Sequence, residues 1–414
     1  MATGFGKTGA CSRPQNVWRL CVWAKHALFA CRIGAAADPA HSPDMESIRP
    51  TQPRAIPRLD VVVIGGGQAG LSAGYYLREA GLRPDRDFTI LDHAPEAGGA
   101  WQFRWPSLTL STVNGVHDLP GGFGLAESLG LENSPEIKAA HAVPQYFHQY
   151  EARFGLPVHR PVSVRQVSLR GGRYLVETDR GRISARAVLN ATGTWDAPYR
   201  PAITGAERFT GLQIHAQGYR DAAPFRGMEV VVVGAGISAI QILEEVSQVA
   251  HCYWATRSAP RYHEGSFLPE HGRAAVARVE ARVRAGLPPG SLVSATGLPP
   301  SEVLERARSR GVLDPKPMFT EMTEEAVILP DGTAHRADAV IWSTGFGNAL
   351  GHLAGLGLFN AQGGITMTGR LATQVEGHPR LHLLGYGPSA STVGATRAGR
   401  AAVREVLADL RREG

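Results

Sequence analysis

Between residues 58 and 92 the chain passes through three hydrophobic patterns in a fixed order. Leu59-Asp60-Val61-Val62-Val63-Ile64 is apolar and β-branched, Gly65–Gly70 is a glycine turn, and Leu71–Leu77 returns to apolar positions at helical spacing. A near-continuous apolar run predicts a strand buried on both faces, and the spacing behind it predicts a helix. The same order recurs from Val230–Val233 through Gly234–Ala239 to Ile240–Val246. Between the two repeats the pattern predicts a helix near Val143–Phe147, a hairpin of 162–167 and 174–178 about the turn Arg170-Gly171-Gly172-Arg173, and a strand over 186–193. Beyond them it predicts helices at 273–285 and 301–309 around a Pro/Gly/Ser-rich stretch, strands at 337–343 and 381–384, and a closing helix at 399–410 that packs back on the first unit.

The two glycine turns read GGGQAG and GAGISA, so each is a dinucleotide fingerprint between a strand and a helix. The first glycine of such a turn permits the bend, the second lets the backbone approach a pyrophosphate, and the third lets helix pack on strand. The helix N-terminus then faces the phosphates with unpaired N–H groups and partial positive charge. Gly65, Gly67, Gln68, Ala69 and Gly70 are the candidates at the first turn, and Gly234, Gly236, Ser238 and Ala239 at the second. Asp92, 22 positions beyond Gly70 at the end of Phe88–Leu91, stands where a ribose-binding carboxylate belongs. The strand after the second turn ends in Arg257 with no acid, which suits a ribose 2′-phosphate and therefore NADP. The fold expected is α/β: a Rossmann-like first domain over 56–205 and 329–414, with a second Rossmann-like domain inserted over 206–328.

Composition narrows this little. The chain has 414 residues and carries 43 basic against 37 acidic side chains, but residues 1–55 hold seven basic against three acidic. The remainder is close to neutral, so the basic balance does not indicate nucleic acid. Three of the four cysteines, Cys11, Cys21 and Cys31, lie in that leading segment, leaving Cys252 in the body. No CxxC pair, disulfide framework or clustered metal ligands result, which argues against a flavin-dependent disulfide reductase and against metal catalysis. The apolar stretch 17–30 is broken by Arg19, Lys25 and His26, so neither a membrane span nor a signal peptide is predicted. Residues 1–55 are expected to be a disordered or untranslated extension, with Met45 an alternative start, and the remainder to be cytoplasmic.

The segment Phe209-Thr210-Gly211-Leu212-Gln213-Ile214-His215-Ala216-Gln217-Gly218-Tyr219-Arg220 fits the pattern FxGxxxHxxxY(K/R). With Gly98-Gly99-Ala100-Trp101, Ala191-Thr192-Gly193 and Ser343-Thr344-Gly345-Phe346, it resembles the class B flavoprotein monooxygenases, and among them the flavin-containing monooxygenases. The resemblance runs over about 58–257 and 330–414. It implies FAD at the first fingerprint and NADPH at the second, with Gly99, Ala100, Trp101, Thr192, Gly193, Thr344, Gly345, Phe346 and Gly385 near the cofactors. It also implies that NADPH reduces the flavin, and that the reduced flavin takes up O2 as a C4a-hydroperoxide and oxygenates a small nitrogen or sulfur nucleophile. The family places an asparagine near the flavin shortly after the GGxW element; Asn114 is the candidate, three or four residues beyond the aligned Leu110 and Ser111. His215 is the second candidate for a chemical role, against a hinge role at a domain junction. Tyr219-Arg220 points away from the Trp-bearing motif of Baeyer–Villiger enzymes. Oxygenation of ketones, and NADPH oxidation without any oxygenation, remain the alternatives, as does a nucleotide-sensing protein without activity. Oligomeric state stays open between monomer and homodimer.

Overall fold

The computed structural model describes residues 56–113, 116–122, 127, 134–263, 269–290 and 297–412. Asn114 and the extension 1–55 lie outside the described residues.

The first pattern folds as a βαβ unit. β1 (Arg58–Ile64) is followed by α1 (Gln68–Glu79) and β2 (Phe88–Leu91), and β1 and β2 pair in parallel. Val61, Val62 and Val63 are fully buried because β1 has a parallel neighbour on each side and side-chain layers above and below. Burying each such side chain contributes about 1.5–3 kcal/mol relative to exposure. Next come α2 (Ala139–Phe154), β3 (Val158–His159), the antiparallel hairpin β4 (Val164–Arg170) and β5 (Arg173–Thr178), and β6 (Gly181–Asn190). α2 starts four residues ahead of Val143, so Pro144 falls inside it with its ring against Gly98.

The chain then leaves this sheet. β7 (Leu212–His215), β8 (Glu229–Val233), α3 (Ile237–Val246) and β9 (His251–Thr256) repeat the dinucleotide order. They are followed by α4 (Pro269–Arg284), α5 (Glu302–Ser309), β10 (Lys316–Pro317), and the small antiparallel sheet of β11 (Glu321–Met322), β12 (Ala326–Ile328) and β13 (Ala334–Arg336). β14 (Ala339–Trp342) completes a five-stranded sheet in the order β10-β9-β8-β14-β7. The final elements are β15 (Met367–Thr368), β16 (Gln374–Val375), β17 (His378–Leu383) and α6 (Thr392–Arg412). They complete a nine-stranded sheet whose main order is β15-β16-β17-β6-β1-β2-β3, with the β4–β5 hairpin attached to β6.

Two elements differ from the boundaries expected at 206–328. β14 pairs in parallel with both β7 and β8, so the chain rejoins the nine-stranded sheet only after Trp342. The apolar run 339–342 is compatible with either sheet, and only parallel pairing between β7 and β8 decides. α4, in contrast, packs Val283 into the core of the nine-stranded sheet beside Gly387 and Tyr386. α6 lies along α1, with Ala395, Ala398, Ala402, Val403, Val406 and Leu410 buried. No helix among the described residues is long and apolar enough to cross a membrane.

Candidate active site

The glycines of both turns divide by what surrounds them. A Cβ on Gly65, whose φ is +103°, would stand 2.4 Å from the Ala191 carbonyl oxygen, and one on Gly70 would stand 1.8 Å from that of Gly65. At the second turn a Cβ on Gly234, φ +132°, would stand 2.2 Å from the Ser343 carbonyl oxygen. These positions are fixed by protein backbone. The middle glycines are different: a Cβ on Gly67 would meet only the Gly99 Cα at 3.9 Å, and one on Gly236 would meet nothing within 4 Å. Gly67 and Gly236 are also the N-caps of α1 and α3, and neither helix has a side-chain cap. Each turn therefore keeps open space in front of uncapped helix N–H groups, the condition for seating a pyrophosphate.

A cavity of about 650 Å³ opens before the first turn. Gly65, Gly67, Ala69 and Asp92 line one side, Gly99 and Ala100 another, and Thr192, Gly193, Phe346 and Gly385 the rest. Gly99, with φ +52°, approaches so closely that a Cβ on it would lie 3.0 Å from the Gly67 Cα, which explains the paired glycines at 98–99. Thr192 Oγ1 donates to the Ala349 carbonyl at 2.8 Å, and the Ala349 N–H donates to the Gly193 carbonyl at 3.0 Å, tying the end of β6 to the loop after β14. Gln68, the first residue of α1, donates through Nε2 to the His117 carbonyl and to Thr396 Oγ1, both at 3.2 Å. Its Oε1 is buried without a hydrogen-bond partner.

Asp92 is buried at the end of β2 and lines the cavity. Arg160 Nε donates to its Oδ2 at 2.7 Å, while both terminal nitrogens of Arg160 reach the Glu151 carboxylate at 2.7 Å. Burial raises the Glu151 carboxyl above its usual range, against the opposing pull of Arg160. The Arg160 bridge has no signal in the sequence, because residues 92, 151 and 160 meet only when β2, α2 and β3 are assembled.

The aromatic wall of the cavity is built from three separate segments, with His215 packed behind it. Phe103 stacks on Trp195 at 6.4 Å between centroids, Trp195 stacks on Phe346 at 5.3 Å, and His215 meets Phe346 edge-on at 4.9 Å. Trp101 packs instead against the hydrophobic cluster around α1 and α2, with the Arg104 guanidinium 5.9 Å from its ring. Arg104 lines the cavity, and burial lowers its pKa. His352 lines it too: its Nε2 donates to Asn190 Oδ1 at 2.7 Å, and burial lowers its pKa to about 4, leaving it neutral. Phe103, Arg104, Trp195 and His352 stand in no spaced motif, so nothing in the sequence marks them as cavity residues.

His215 ends β7 and is buried. The Gln217 N–H donates to its Nδ1 at 3.1 Å, which places the ring proton on Nε2, and this donates to the Gly345 carbonyl at 3.0 Å. Both nitrogens are thus engaged, and burial lowers its pKa. The Gly345 carbonyl also accepts the Tyr199 N–H at 3.0 Å, and Thr344 Oγ1 donates to the Tyr199 carbonyl. Tyr219 is fully buried, donates to Glu245 Oε2 at 2.9 Å and meets Trp105 edge-on at 5.8 Å. The histidine and tyrosine of the FxGxxxHxxxY segment therefore tie the second sheet to loops that border the cavity.

At the second turn, Trp254 Nε1 donates to the Gly234 carbonyl at 2.7 Å. Ser238 is half-buried in the first turn of α3, and Ala239 is buried against β8, its methyl filling the place of a third glycine. Arg257 is exposed just beyond β9. The Cys252 thiol on β9 is pushed up to about 12 by burial, so it is a protonated core group. No group of three or more metal-ligating side chains occurs among the described residues.

Comparison with known proteins agrees with this geometry. Residues 62–266 match the family described as pyridine nucleotide-disulphide oxidoreductase. A flavin-containing monooxygenase from Stenotrophomonas maltophilia superposes with a TM-score of 0.69 at 38% identity, over 86% of this chain and 100% of that one. The uncharacterized oxidoreductase CzcO of Bacillus velezensis is 32% identical over 203 residues, 49% of this chain and 56% of its own length. Senecionine N-oxygenase of Tyria jacobaeae is 22% identical over 313 residues, 69% of this chain and 58% of its own. The chain thus spans about half the length of the curated relatives it matches. It belongs to the class B flavoprotein monooxygenases, FAD-dependent enzymes of the two-dinucleotide α/β fold. FAD is the cofactor of that family, and the open space before Gly67 and Gly236 and the two uncapped helices fit bound dinucleotides.

Proposed function

We propose that this chain is an NADPH- and O2-dependent monooxygenase that oxygenates a small nucleophilic nitrogen or sulfur compound. The observation that carries the reading is the junction at Phe346. The loop that follows β14 carries Phe346 into the wall of the cavity before the first fingerprint, where it joins Trp195 and Phe103, and His215 at the end of β7 packs edge-on behind it. β8, which leads into the second turn, pairs with β14, so a coenzyme held at Gly234–Ala239 would be joined to that wall through one sheet.

Bound FAD supplies the redox chemistry and the activation of O2. The protein's part is placement and exclusion of water. Gly65, Gly67 and the N-terminus of α1 would seat the pyrophosphate, and the Asp92 carboxylate, oriented by Arg160, would face the ribose. The rings of Phe103, Trp195 and Phe346 keep the reacting region apolar. Fixing two rings in reacting geometry contributes about 7–11 kcal/mol toward the barrier. Thr192, Gly193, Thr344, Gly345 and Gly385 shape the seam. His215 acts here as a positioning residue that holds Gly345 and so Phe346.

The test is product analysis with NADPH, O2 and three probes: methyl phenyl sulfide, N,N-dimethylaniline and cyclohexanone. Sulfoxide or N-oxide in step with NADPH consumed supports the proposal. Hydrogen peroxide equal to NADPH, without oxygenated product, would establish the oxidase instead. A lactone as the sole product would establish ketone oxygenation.

A further inference from the structure

The near-neutral balance of residues 56–414 conceals a concentration of basic side chains on α6. Arg397, Arg404 and Arg411 recur every seven residues, about 10 Å apart at 1.5 Å rise per residue, and Arg400 falls in the same stripe. The opposite side of α6 is buried against α1, so this stripe faces outward. Arg370 approaches from the turn after β15, and between that turn and α6 lies a groove of about 410 Å³ lined by Arg370, Arg397, Arg400 and Arg404.

The groove is built rather than incidental to mobile side chains. The Arg370 N–H donates to Glu405 Oε1 at 2.8 Å, and Arg284 Nη2 donates to the Gly369 carbonyl at 2.9 Å, fixing the turn against the helix. Glu405 is the one carboxylate in the lining, and that hydrogen bond occupies one of its oxygens. Among the described residues, none of the four lining guanidiniums forms an ion pair; Arg400 lies 5.8 Å from the Tyr76 ring centroid. Four cations converging on one depression repel one another unless an anion joins them.

We propose that this groove binds a small anion bearing two or more phosphate groups. A tetrahedral phosphate can accept from guanidiniums on opposite walls at once, whereas a planar carboxylate engages one fork. The length of the stripe calls for more than one such group. The site is separate from the dinucleotide turns and independent of the reaction proposed above.

The test is calorimetric titration of the full-length FAD-loaded protein with inorganic tripolyphosphate at 150 mM NaCl. The double variant Arg400→Ala/Arg404→Ala is compared with Arg182→Ala/Arg208→Ala, which removes the same charge elsewhere on the surface. Saturable one-to-one binding that weakens at least tenfold in the first variant and stays within twofold in the second supports the site. Arg397→Gln serves as a milder variant, with flavin absorbance and thermal unfolding as checks of folding. Equal weakening in both doubles, no binding at this ionic strength, or binding only to phosphatidylglycerol vesicles would overturn the proposal.

Discussion

The Arg104 guanidinium lies 4.8 Å from the ring centroid of Trp195, on the wall of the cavity before the first glycine turn, with no carboxylate partner among the described residues. Stacking on an aromatic face holds a guanidinium without neutralising it. Its charge is therefore available to an anionic cofactor. Charge-assisted hydrogen bonds contribute about 1.5–3 kcal/mol. Arg104→Met is expected to weaken FAD binding by roughly 10- to 100-fold, read by recovery of flavin fluorescence on dilution, while Arg104→Lys retains part of the affinity.

The two fingerprints separate folding from coenzyme binding. Gly70→Ala drives a methyl into the Gly65 carbonyl, so it is expected to abolish FAD retention and lower the yield of folded protein. Gly236→Ala meets no protein atom and fills only the space left open before α3. It should leave FAD content and melting temperature unchanged while raising the KM for NADPH by tenfold or more. A Gly236→Ala protein lacking flavin would contradict the assignment of the second turn to NADPH.

Because both nitrogens of His215 are engaged and burial keeps the ring neutral, its replacement should act through geometry. His215→Ala is expected to slow flavin reduction by NADPH in anaerobic stopped-flow measurements. The pH profile of that step between 6.5 and 8 should keep its wild-type shape. A lost ionisation in this range would mean that His215 carries a proton in the reaction.

His352 and His382 both have pKa values lowered to about 4 by burial. A histidine whose folded pKa lies below its unfolded value favours the folded state fully above pH 6.5, and that contribution is lost as pH falls from 6.5 toward 4. Each group then removes about 1.4 kcal/mol per pH unit in this window. Urea unfolding of the flavin-free protein should show stability falling between pH 6.5 and 4.5, and His352→Gln should reduce the slope by about half. A slope of opposite sign would refute the neutral assignment.

The sequence by itself determined the parts that depend on local pattern. Apolar β-branched runs followed by glycine turns required strand, cradle and helix at 58–79 and 229–246, because only those glycines avoid the backbone of Ala191, Gly65 and Ser343. The FxGxxxHxxxY segment and the glycine pairs carried the family for the same reason: short-range geometry restricts residue type. Tertiary structure alone decided what forms when distant segments converge. The assignment of β14 to the second sheet, the Asp92–Arg160–Glu151 bridge, the wall of Phe103, Trp195 and Phe346, and the packing of His215 behind Phe346 each join residues from separate elements. No spacing along the chain encodes such contacts, since an apolar strand, a lone arginine or a single tryptophan satisfies many packings equally until its neighbours are in place.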